Sequence, residues 1–176
     1  MSRKVSIFFL LFSLLIVGAL YAHSDEVEKV FSPEIAKVHP PFTHFGIAFP
    51  VSLLVLEILY IILRKRPDSI EFTFVVLAFI GALLASISGY YVYTHIDEES
   101  LSKEGHELLE THELLGFSLT FSYLLVLVLR VLYSLIKDEA KKNFIRWIYL
   151  SIVLLSVLLG FFQGYLGGEL AYGGLS

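Results

Sequence analysis

The sequence predicts an all-α protein, a membrane four-helix bundle preceded by a signal peptide or signal anchor. Three observations carry that expectation. Of 176 residues, 56 % are hydrophobic and only 17 % charged, a balance foreign to soluble domains. Four apolar segments, residues 42–63, 72–93, 114–136 and 144–166, each come close to the ~20 residues that a helix needs to span hydrocarbon. None alternates polar and apolar residues over a sustained stretch, so barrel strands are not expected.

Residues 1–22 read as the leader. Arg3 and Lys4 precede an apolar run from Val5 to Leu20, and Ala19 and Ala22 offer cleavage points. Leu20 is bulky for a position three back from a cut, so an uncleaved anchor is the competing reading. Residues 23–40 form an outer polar segment. In it Ser32-Pro33-Glu34 resembles a helix start: a cap, a first-turn proline and a first-turn acid. Residues 41–176 form the transmembrane domain. Arg64, Lys65 and Arg66 follow its first span, and Lys137, Lys141, Lys142 and Arg146 lie between the third and fourth. The connection between spans two and three carries Asp97, Glu98, Glu99, Glu104 and Glu107. The positive-inside rule then places the basic connections in the cytoplasm, with the mature N- and C-termini outside.

Composition also excludes. A net charge of −4 argues against nucleic acid as a partner. The absence of cysteine rules out disulfides, thiolate metal sites and covalently attached haem. Met1 is the single methionine, which removes the soft ligands that copper(I) prefers. There is no G-x-S-x-G, no H-E-x-x-H and no phosphate-cradling glycine loop. His106-Glu107 and His112-Glu113 are six residues apart, so the two imidazoles do not share a helical face. No catalytic residue is assigned.

All six histidines, His23, His39, His44, His95, His106 and His112, fall at the predicted outer side. His23 and His106 are ordinary loop or interface histidines. If cleavage follows Ala22, the terminal amine and imidazole of His23 form a chelate for copper(II). His44 and His112 sit where a helix enters the membrane. Gly46 lies beside His44. Gly116 lies one turn beyond His112 on the same face, a flat spot of the kind a b-type haem uses. Pro50 frees the carbonyl of Gly46 and is expected to kink span one. Gln163 is an amide at the same depth and needs partners there. Tyr90, Tyr91 and Tyr93 fit an interfacial aromatic belt. The cofactor-binding candidates are therefore His44, His112, Gly46, Gly116 and Gln163. A metal set of His39, His44, His95 and His112, joined by Glu107, Glu113 or Glu169, would suit zinc, copper(II) or iron.

Small residues recur at spacing four, Gly81, Ala85 and Gly89 in span two and Gly160, Gly164 and Gly168 in span four. Close helix packing explains such stripes, and room for a cofactor is the alternative. Two charges lie deep, Glu57 and Arg130. Left unpaired, each costs at least about 2.5–3.5 kcal/mol, so a clasp between spans one and three is expected.

His39 to Val51 (HPPFTHFGIAFPV), His112 to Gly116 (HELLG) and Gly164 to Tyr172 (GYLGGELAY) together resemble a known family. It is the bacterial predicted four-helix membrane proteins catalogued as domain of unknown function number 2231. The resemblance covers roughly residues 37–173 and implies a four-helix membrane domain, sometimes fused or adjacent to redox proteins, with His44 and His112 at family-like positions. It implies no reaction. Three functions follow for test: a non-covalent haem b or other redox module, a membrane anchor for a periplasmic or membrane redox partner, and a histidine/carboxylate metal protein.

Overall fold

The computed structural model describes residues 39–96 and 101–172. The leader, the Ser32-Pro33-Glu34 helix start, His23 and the acids Asp97, Glu98 and Glu99 lie outside the described residues. The fold consists of four helices: α1 (His39–Ile62), α2 (Ser69–Tyr93), α3 (Lys103–Leu135) and α4 (Glu139–Tyr172), with no strand among the described residues. All four are long and apolar enough to cross a membrane. Each packs on its two neighbours in the ring α1–α2–α3–α4–α1, and the diagonal pairs scarcely meet. The outward faces carry side chains such as Ile62, Ile87, Leu114 and Phe121, which suit lipid.

Local chemistry sets the helix starts, and each helix begins before its apolar run does. Pro40 and Pro41 occupy the first turn of α1, where no amide donor is required, so the helix reaches back to His39. The helix then runs unbroken across Pro50. Asp68 caps α2 by accepting from the amides of Ile70 at 2.9 Å and Glu71 at 3.2 Å. Burial opposes charge on the Asp68 carboxyl, but hydrogen bonds from Tyr60 and from those amides outweigh it and hold the group below its ordinary range. The largest difference from expectation is α3. It begins at Lys103 rather than near Leu114, because Ser102 caps it by accepting from the Gly105 amide at 3.1 Å. Asp138 caps α4 through the Ala140 and Lys141 amides. At its other end α1 closes with the Arg64 amide bonded to the Ile61 carbonyl and the Lys65 amide to that of Tyr60. This is the crossed pair of bonds that puts its turn residue in the left-handed region. Here that residue is Arg64, at φ 51°.

The two glycine stripes behave differently. On α2 the stripe is packed to the limit: a Cβ on Gly81 would lie 2.8 Å from the Phe45 carbonyl oxygen, and one on Gly46 would lie 3.1 Å from the Ala85 Cβ. The backbones of α1 and α2 touch there. On α4 a Cβ on Gly160 or on Gly168 would meet nothing within 4 Å. Close packing therefore explains the α2 stripe and leaves the α4 stripe unexplained.

The deep charges pair differently from the expected Glu57–Arg130 clasp. Glu57 accepts from Arg146 Nη2 of α4 at 2.8 Å and from the Tyr149 hydroxyl at 2.7 Å. Arg130 donates its Nε to Glu71 of α2 and its Nη2 to the Asp68 carbonyl at 3.1 Å. The reason is topological: α1 and α3 are diagonal, so each charge meets one on an adjacent helix instead. Every helix contributes one member of this buried layer.

Two outcomes follow. Arg146→Met leaves the Glu57 carboxylate buried without its cation. Thermal unfolding in detergent should show a loss of about 3–5 kcal/mol, whereas Arg66→Ala at the exposed Arg66–Glu139 pair changes less than about 1 kcal/mol. Gly81→Ala drives a methyl into backbone and should cost about 1–3 kcal/mol, while Gly160→Ala in the same assay costs less than about 0.5 kcal/mol because the space is open.

Candidate functional site

At the end opposite the charged layer, all four helices surround a cavity of about 80 Å³. The N-terminal part of α1 brings His39, Thr43 and Gly46, and α2 brings Ala85 and Ser86. From α3 come His112, Gly116 and Tyr123, and from α4 Ser156, Gly160, Gln163 and Gly164. His39 opens α1, whereas His112, Tyr123, Ser156 and Gln163 sit well inside their helices, where a polar side chain in lipid is expected to bond a neighbouring helix.

His39 is the best-anchored imidazole. Its Nδ1 lies 2.9 Å from the Ser88 hydroxyl oxygen, and that hydroxyl donates its one proton to the Ala85 carbonyl at 3.0 Å. With its proton on that carbonyl, Ser88 accepts from Nδ1 of His39, the tautomer that leaves a lone pair on Nε2. The ring rests on Gly89, where a Cβ would come within 3.0 Å of Cε1. His112 is held in the same manner: a Cβ on Gly167 of α4 would lie 3.0 Å from its Cε1. Its Nδ1, however, is buried with no hydrogen-bond partner. Below them Ser86, Thr120 and the carbonyls of Ala82 and Gly116 form a closed α2–α3 knot.

The structure brings His112, Gly46, Gly116 and Gln163 to one cavity and leaves His44 off its wall. The Nε2 of His44 is buried without a partner elsewhere. The imidazole facing His112 is His39, which spacing alone assigned only to a metal set. The signal was present in His39-Pro40-Pro41, since two prolines at a helix start pull the preceding residue onto the first turn. Sequence reasoning also missed Tyr123 and Ser156. The flat spot beside Gly116 is filled: Gln163 Nε2 lies 2.9 Å from where a Cβ would stand. The same amide reaches toward the His112 carbonyl at 3.5 Å, the outer edge of hydrogen bonding. His95 lies at the end of α2, with its Nδ1 2.8 Å from the Tyr91 carbonyl oxygen. Among the described residues no three His, Asp or Glu side chains gather as a metal site.

One family model, described as predicted membrane protein (DUF2231), matches residues 36–174. The chain belongs to this family. The match spans all four helices and both polar layers, so the DUF2231 domain and the bundle are the same unit. No curated protein and no solved structure matches the chain.

Ser88→Ala removes the acceptor that fixes His39. It should cost about 1–3 kcal/mol for the buried donor left unpaired, read by thermal unfolding. Ser86→Ala should cost less, because Thr120 keeps its bonds to the Ala82 and Gly116 carbonyls.

Proposed function

We propose that this membrane domain binds a small quinol-type ring in the cavity between His39 and His112, and serves a redox partner as its anchor and ring-binding subunit. The observation that carries this reading is a pair of unspent polar groups facing one space. Ser88 leaves His39 with a free acceptor nitrogen, and His112 presents a buried nitrogen with no protein partner. In a core bounded by lipid such groups call for a partner. A quinol hydroxyl donates to His39, and the oxygen across the ring accepts from or donates to His112.

The α4 glycines support access from the lipid. Gly160 and Gly164 line the cavity, and the nearest neighbour of a Cβ on Gly164 would be the Ile47 tip at 3.8 Å. The α1–α4 contact is also the sparsest of the four. The enclosed space is about half the roughly 150 Å³ in which a benzene ring is held, so the ring lies with one edge in that seam.

A haem macrocycle fits this arrangement poorly. The cavity of about 80 Å³ falls well below the roughly 300–1,000 Å³ of drug-sized ligand sites, and Gln163 occupies the place beside Gly116. The charge bias of the connections supports placing the histidine end outside the cytoplasm, in what we infer to be a bacterial inner membrane.

Equilibrium binding of a short-chain quinone and quinol to protein in liposomes tests the reading. Saturable binding that weakens at least tenfold in His39→Ala and His112→Ala is expected. Partitioning identical in wild type, both variants and protein-free liposomes would sink it. Haem bands in a reduced-minus-oxidised spectrum of the purified protein would replace it with the haem reading.

A further inference from the structure

The buried layer at the opposite end holds an imbalance that helix packing does not explain. Glu57 and Glu71 are both wholly buried. Each is bonded to an arginine, yet Glu71 Oε1 has no hydrogen-bond partner. Its neighbour is the Glu57 carboxyl on the adjacent helix. Two ionised carboxylates have four acceptor atoms and no donor, so no bond can form between them unless a proton is present.

The charge count points the same way. Asp68 caps α2 beside this layer and accepts from the Tyr60 hydroxyl at 2.8 Å. Three carboxyls, Glu57, Glu71 and Asp68, therefore face two guanidiniums, Arg130 and Arg146. Fully ionised, the set carries one negative charge, and its two glutamates are wholly buried. One added proton makes it neutral. Asp68 is the least buried of the three and is spent on its helix cap, so the proton belongs to the Glu57–Glu71 pair. Tyr60 of α1 and Tyr149 of α4 lie beside the pair, while Tyr133 of α3 lies beneath Arg130 and Lys142, and Lys142 is itself paired with Glu139. Tyr149 and Arg146 already bond the two Glu57 oxygens. Glu71 Oε2 is taken by Arg130, which leaves Glu71 Oε1 as the atom with room for hydrogen.

We propose that Glu57 and Glu71 hold one exchangeable proton between them, with Glu71 Oε1 donating to Glu57, and that this pair is a proton-binding site of the membrane domain. The site is separate from the cavity at the histidine end. Leu53, Val75, Val126 and Val153 belong to the apolar core that lies between the two.

Infrared spectroscopy of the full chain in liposomes at neutral pH tests this proposal independently of any ring binding. The expected result is the carbonyl stretch of a protonated carboxylic acid, shifted in D₂O, missing in Glu71→Gln and lost or displaced in Glu57→Gln. No such band at neutral pH, or a band unchanged in both variants, overturns the proposal. The glutamine at position 71 has the shape of the protonated acid and keeps a donor toward Glu57. Glu71→Gln should therefore fold with wild-type helicity, and failure of that variant to fold also counts against the proposal.

Discussion

A charge placed in hydrocarbon must meet its opposite, and that requirement organises this bundle. Each helix contributes one ionisable side chain to a single buried layer, and the partners sit on adjacent helices. Glu57 joins α1 to α4, and Glu71 joins α2 to α3. Ridge packing of aliphatic side chains gives little preference for one helix order over another when lipid is as apolar as the core. The two buried ion pairs add directional ties, α1 to α4 and α2 to α3, that aliphatic packing does not supply. Buried ion pairs are weak evidence of stability in themselves. Here their value lies in leaving no glutamate or arginine of the layer without an opposite charge on a neighbouring helix.

The opposite end solves a different problem with neutral groups. Imidazole, hydroxyl and amide side chains can bond across helices without bringing net charge into the membrane, and glycine gives their rings somewhere to lie. His39 on Gly89 and His112 on Gly167 are the same device on two helix pairs. The device keeps two large polar rings inside the bundle while leaving one nitrogen of each available.

The number of helices and their approximate spans were legible because hydropathy and span length are local properties. The helix starts were less so: Asp68, Ser102 and Asp138 each cap a helix that begins ahead of its apolar run, and a hydropathy reading stops at the run. Partner choice was not legible. Glu57 and Arg130 stood out as deep charges, but Glu71 and Arg146 lie at the edges of apolar runs and read as boundary residues. Which charges meet depends on which helices are neighbours, and that is a property of the ring. The glycine stripes make the same point. Spacing four on α2 and on α4 looks identical in sequence, yet one stripe is pressed against backbone and the other faces open space. His39 was undervalued in favour of His44 because the proline-driven extension of α1 shifts which histidine faces inward.

The contrast between the two stripes gives the bundle an uneven stiffness. Where the carbonyl of Phe45 presses on Gly81, α1 and α2 have no slack and behave as one plank. The bare ridge of α4 has slack to spend, and its far end is latched by Arg146 to Glu57. Any widening at the histidine end therefore has to come from α4 leaning outward about that latch, like a door hung at one corner, while the plank stays still.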